Sequence, residues 1–358
     1  MAGSARSLGW LNMLLVLSSV LLGLLCVELA FRAATGTGLF RLANWRTERV
    51  IVARLLDRTI VDPVLGWTVR SHYRSHEYNT LDHGIRRNFA ETAIRGGSIL
   101  AVGDSFTEGW EVDDDESWPA YLEKRLGRPV VNAGVGGYGT DQIVLRAEQI
   151  VPVVKPEIVI VGFLDFDIVR TAHTHFAAPK PWFSLEGGKL RYHPPAPLAP
   201  DRRQGALNAW QRRLRNILGY SLVADHLLAR LAPDYWYSDG LGDYQLAGID
   251  AVAVTCALLQ RLKQELDAQH IRMLLFMQYY AWFIYAADTA PPDARRVLAC
   301  AQAAGIQTVD HFPSLRAIAV SRPNALADYY MTWGELHTHM NALGNQHAAE
   351  LLANALRQ

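Results

Sequence analysis

Residues 98–112 read SILAVGDSFTEGWEV, and the order of residue types in them decides the fold. Positions 98–102 are a short run of mostly apolar residues without alternation, which predicts a strand buried on both faces. The turn Gly103-Asp104-Ser105 ends it. A serine directly after a buried strand lies at the carboxyl edge of a sheet, where open α/β folds bind their ligands. If a helix follows, its free N–H groups point back at that position and can stabilise a developing anion. Taken alone, Gly-Asp-Ser also fits an ordinary strand-to-helix turn with serine as the cap.

Outward from this point the pattern repeats. Ser117-Trp118-Pro119 opens a helix over 120–126, with proline in the first turn, where a missing N–H costs little. Residues 130–131 form a short strand, 141–154 a helix ended before Lys155-Pro156, and 158–163 (IVIVGF) a second clear strand. Between about 171 and 248 the alternation stops in a stretch rich in Pro, Arg and aromatics, including Trp182, Trp210 and Trp236. It resumes with a helix over 250–269, a strand over 272–278, a helix over 293–304 and a strand over 307–310. A last helix follows Asn341 and opens with the His337–Asn341 run. Apolar strands separated by helices indicate a five-stranded parallel sheet covered on both faces, a three-layer α/β/α domain over 96–358 with an insertion at about 171–248.

The chain has 358 residues, and its 35 basic residues balance 35 acidic ones. No global charge therefore argues for a nucleic-acid partner. Residues 8–31 are almost wholly apolar, with Glu28 the one charge. About 20 residues suffice to cross a bilayer core as a helix. The exit Glu28-Leu29-Ala30-Phe31-Arg32 is a poor cleavage site, so residues 1–31 are expected to be an uncleaved membrane anchor. Residues 32–95 are expected to connect it to the domain, with turns at Asp62-Pro63-Val64-Leu65-Gly66-Trp67 and Asp82-His83-Gly84-Ile85-Arg86. Arg32, Arg41, Arg46 and Arg49 follow the span and only Arg6 precedes it. That bias favours a cytoplasmic domain, although long domains can cross regardless. Cys26, Cys256 and Cys300 allow at most one disulfide outside the apolar run. Zinc-type His/Cys spacing is absent, and Asp113–Glu116 lacks the alternation of a calcium loop. No metal or cofactor is expected.

Two further segments bear on Ser105. Asn132-Ala133-Gly134-Val135-Gly136-Gly137-Tyr138-Gly139-Thr140 follows the second strand and so lies beside the serine loop. Its glycines permit close backbone approach, so an N–H can face a substrate oxygen. Near the C-terminus, His337 and His339 offer an imidazole able to act as general base.

In this order the segments resemble the SGNH/GDSL hydrolase family, of the bacterial, N-terminally membrane-anchored type. GDSFTEGWEV and VVNAGVGGYGTDQ carry the resemblance, which spans about 98–350. It implies a flavodoxin-like fold, Ser105 as nucleophile, an oxyanion hole from the N–H groups of Ser105 and Gly137, and His339 as base. It also implies an extracytoplasmic domain; with the anchor, that suggests an ester of an envelope carbohydrate or lipid as substrate, resolved by hydrolysis or by O-acyl transfer. Two departures stand out. The family's third block ends in Asn-Asp, the asparagine donating a third hydrogen bond to the oxyanion, and Phe166 stands in its place. Losing such a donor can cost about 3–4 kcal/mol. Asp165 and Asp167 flank that position and are expected to hold a turn or an arginine such as Arg170. The acid normally precedes the base by two or three residues, where Leu336 and His337 stand, and Glu335 is the nearest carboxylate. A catalytically degenerate module that binds an envelope glycan or membrane partner is the alternative.

Overall fold

The computed structural model describes residues 3–35, 39–40, 42, 44–45, 58–176, 178–196, 209–236, 245–333 and 336–357. The chain divides into two compact units, residues 1–54 with 199–243, and residues 55–198 with 244–358.

The first unit contains the helix Gly3–Ala34. Its segment Leu15–Ala34 has mean hydropathy 2.0, which makes it long and apolar enough to span a membrane. Glu28, the charge inside that run, receives hydrogen bonds from Ser221 Oγ and from the N–H groups of Leu222 and Val223. It thereby satisfies donors left free at the start of the helix Leu222–Leu231.

The second unit is built on a five-stranded parallel sheet. Its strands are β1 (Ile99–Gly103), β2 (Val130–Asn132), β3 (Ile158–Leu164), β4 (Arg272–Gln278) and β5 (Gln307–Asp310). Their spatial order is 2-1-3-4-5, the flavodoxin-like order. β1, β2 and β3 are buried at every position, which is why their apolar runs show no alternation. The helices Trp118–Leu126 and Ala342–Arg357 pack together; Thr140–Val154 and Pro292–Ala303 both pack against Ala251–Asp267.

The expected elements form with end shifts of one or two residues. Punctuation explains this accuracy. Ser117 caps the helix Trp118–Leu126 and Gly127 ends it in a left-handed conformation. Asp250 accepts hydrogen bonds from the N–H groups of Val252 and Ala253 at the start of Ala251–Asp267. One expectation is corrected. His339 does not open the last helix; it lies on the strand Leu336–Met340, paired antiparallel with Tyr330–Trp333. The helix begins only at Ala342, because Asn341 Oδ1 accepts from Gly344 N at 3.0 Å and acts as its cap.

Candidate active site

β1 and β3 pair with Gly103 opposite Gly162. A Cβ on either glycine would lie 2.1 Å from Thr107 Oγ1. The two bare positions let the short helix Ser105–Glu108 settle onto the strand ends, at the β1/β3 switch point where this fold binds ligands. Asp104 caps the helix by accepting from Phe106 N at 2.9 Å. Ser105 is thus the first helical residue, and its N–H has no acceptor among the described residues.

Ser105 Oγ lies 2.9 Å from His339 Nε2. His339 Nδ1 lies 3.1 Å from Glu111 Oε2, which also accepts from Thr338 Oγ1 at 3.1 Å. Ser105 is 5% exposed. The imidazole is packed by Phe106, at 5.2 Å between ring centres, and by Trp110, stacked at 29°. Hydroxyl, imidazole and carboxylate thus stand in the order and at the distances that a nucleophile, its base and a group orienting the base require.

The carboxylate at His339 Nδ1 is Glu111, whereas the resemblance looks for the acid just before the histidine. Glu335 lies outside the described residues. Glu111 follows Ser105 by six positions, on a turn that starts at left-handed Gly109, and is itself at φ 68°. A carboxylate inside the same block as Ser105 is the available signal. Its meaning depended on where the C-terminal hairpin returns.

Beside the serine, the loop after β2 is pressed against the Ser105–Glu108 helix. A Cβ on Gly134 would lie 2.4 Å from Glu108 N. Val135 N donates to Gly103 O at 3.0 Å, and Gly136 N to Glu108 Oε2 at 2.8 Å. Gly137 has φ +80° and is buried, with its N–H lacking an acceptor among the described residues.

Arg170 lies between Asp104 Oδ2, at 2.8 Å, and Asp167 Oδ1, at 2.6 Å. The other oxygen of Asp167 accepts from Leu164 N. Asp167 therefore holds both a turn and the arginine. Phe166 lays its ring 5.1 Å from the Arg170 guanidinium carbon and offers no donor. Asp165 Oδ1 is buried without a hydrogen-bond partner among the described residues, and burial pushes its carboxyl up to about 7. Among the described residues, exposed His76, Glu77 and Asp113 bring ligand atoms within 4.8 Å of one another. Exposed acidic groups gather this way without an ion.

Residues 101–163 match the family model described as the GDSL-like Lipase/Acylhydrolase family. This part of the chain is GDSL-like. Among solved structures, the acetyl xylan esterase AlAXEase is 13% identical, with 72% of this chain and 99% of that one covered at a TM-score of 0.42. A lipase/acylhydrolase from Enterococcus faecalis is 12% identical, with 73% and 95% covered and a TM-score of 0.41. Axe2, an acetylxylan esterase from Geobacillus stearothermophilus, is 14% identical, with 74% and 94% covered and a TM-score of 0.39. No curated protein matches the chain.

Proposed function

We propose that this GDSL-like chain is a serine-dependent ester hydrolase or O-acyltransferase, with Ser105 as nucleophile, His339 as base and Glu111 as the orienting acid. The observation that carries the proposal is the 2.9 Å contact of Ser105 Oγ with His339 Nε2, continued by Glu111 at Nδ1. His339 takes the hydroxyl proton as Oγ bonds to the ester carbonyl carbon. The oxyanion is met by the unengaged N–H groups of Ser105 and Gly137. Collapse breaks the bond to the alcohol, which leaves with the proton held by His339, and the acyl group stays on Ser105. Water, or the hydroxyl of an acceptor, then attacks this acyl-enzyme through the same steps.

An uncleaved N-terminal anchor with its domain on the extracytoplasmic side is part of the proposal. The apolar helix supports the anchor. The disulfide between Cys256 and Cys300 supports the side, because such bonds persist in oxidising compartments and are rare in the cytosol. An ester on an envelope carbohydrate or lipid is the substrate class within reach of such a domain.

Phe166 favours the rival, a degenerate binding module, since it removes one oxyanion donor. A fluorophosphonate probe on the detergent-purified full chain separates the two. Wild type is expected to label and Ser105→Ala not to; a folded wild type that stays unlabelled turns the assignment to the binding module.

A further inference from the structure

The segment 62–67 (DPVLGW) precedes the sheet and contributes nothing to the Ser105–His339–Glu111 chain, yet it is packed against the glycine loop. Asp62 Oδ1 accepts from Val64 N at 2.8 Å and Leu65 N at 2.7 Å, closing the turn. Leu65 is fully buried, and its carbonyl accepts from Gln142 Nε2 at 2.8 Å. Gly66 has φ +83°, and a Cβ there would lie 2.3 Å from the Pro179 carbonyl oxygen. These constraints deliver Trp67 to the glycine loop. Its own carbonyl accepts from Tyr138 OH at 2.6 Å, and its ring meets the Tyr138 ring edge-on at 5.7 Å. Its indole Nε1 donates to the carbonyl of Gly136 at 3.2 Å.

That last bond fixes more than a carbonyl. In a trans peptide the C=O of one residue and the N–H of the next lie in one plane and point opposite ways, and the described peptides include no cis bond. Holding Gly136 O toward Trp67 therefore aims Gly137 N–H away from it. Gly136 N is held separately by Glu108 Oε2, on the helix that starts with Ser105. Glycines on both sides of this peptide leave its orientation with little intrinsic preference, so the indole bond to Gly136 O is a direct restraint on it. The opposite orientation would present a carbonyl oxygen where negative charge develops.

We infer that Trp67 is a positioning residue for catalysis, its indole N–H setting the Gly137 N–H as an oxyanion donor. The inference rests on the proposed hydrolase function. It gives the 62–67 turn a role in the transition state and makes the sheet domain's site incomplete without the segment before it.

The test is turnover of p-nitrophenyl acetate by the full chain in detergent, comparing wild type, Ser105→Ala and Trp67→Phe. A fourth protein carries benzothienylalanine at position 67, which keeps the indole shape and lacks the N–H. Both position-67 variants are expected to lose roughly 10- to 100-fold in kcat, less than or equal to removal of a donor outright. KM should stay within about threefold. Phenylboronate, whose tetrahedral adduct places an oxygen at the oxyanion position, should lose affinity by a similar factor. A benzothienyl protein with wild-type kcat and boronate affinity overturns the inference, as does a loss expressed in KM alone. Wild type without Ser105-dependent turnover overturns the hydrolase proposal itself, and the inference falls with it.

Discussion

Glu111 reaches His339 from the loop behind Ser105, so a single segment supplies both the hydroxyl and the carboxylate of the hydrogen-bonded chain. A carboxylate at Nδ1 fixes the imidazole tautomer and stabilises its cation. Glu111→Gln is expected to lower kcat roughly 10²- to 10⁴-fold with little change in KM. Glu335→Gln, measured beside it by steady-state kinetics, should leave kcat within about threefold. Asp165 makes a second expectation, in stability. Its folded carboxyl is raised to about 7 from an ordinary 3.8 by burial, so between those values the folded state holds a proton that the unfolded state releases. Stability from this group is full below about pH 4 and declines as pH rises toward 7, by roughly 4 kcal/mol as an upper bound. Asp165→Asn removes that decline. Thermal unfolding at pH 4.5 and pH 8 should show the variant gaining on wild type at the higher pH.

At the scale of elements, the strands and long helices were legible because each is closed by residues with one local meaning. Lys155-Pro156, Gly127, Asp250 and Asn341 punctuate the chain by capping or by breaking, and caps act over three or four residues. The hairpin carrying His339 was not legible. Leu336–Met340 is too short for a period to be read, and its partner strand, Tyr330–Trp333, shows no alternation. The region before β1 has the opposite lesson. Its turns at Gly66 and Gly84 were readable, and both glycines sit at positive φ. What the turns hold was not. Arg86, fully buried, donates to the carbonyls of Glu77, Glu108, Gly109 and Val112. It thus braces the loop that carries Glu111, as Trp67 braces the loop that carries Gly137.

For the molecule as a whole, the disulfide joins the helices Ala251–Asp267 and Pro292–Ala303 across a separation of 44 residues. Closing a loop of that length in the unfolded chain is worth about 4 kcal/mol on the chain-entropy account. Replacing both Cys256 and Cys300 by alanine should lower the melting temperature of the full chain in detergent by several degrees, and dithiothreitol should do the same to wild type alone. The parallel α/β sheet, the apolar N-terminal helix, the serine at the end of β1 and the glycine loop beside it can all be read from the order of residues alone. These are consequences of short-range rules: burial written as apolar runs, turns written as glycine and proline. Three-dimensional packing alone settles which carboxylate meets His339, that Cys256 and Cys300 do pair, and that Trp67 reaches Gly136. Each of those contacts joins residues from 44 to 228 positions apart, and a side chain's partner at such range depends on how the whole sheet is layered.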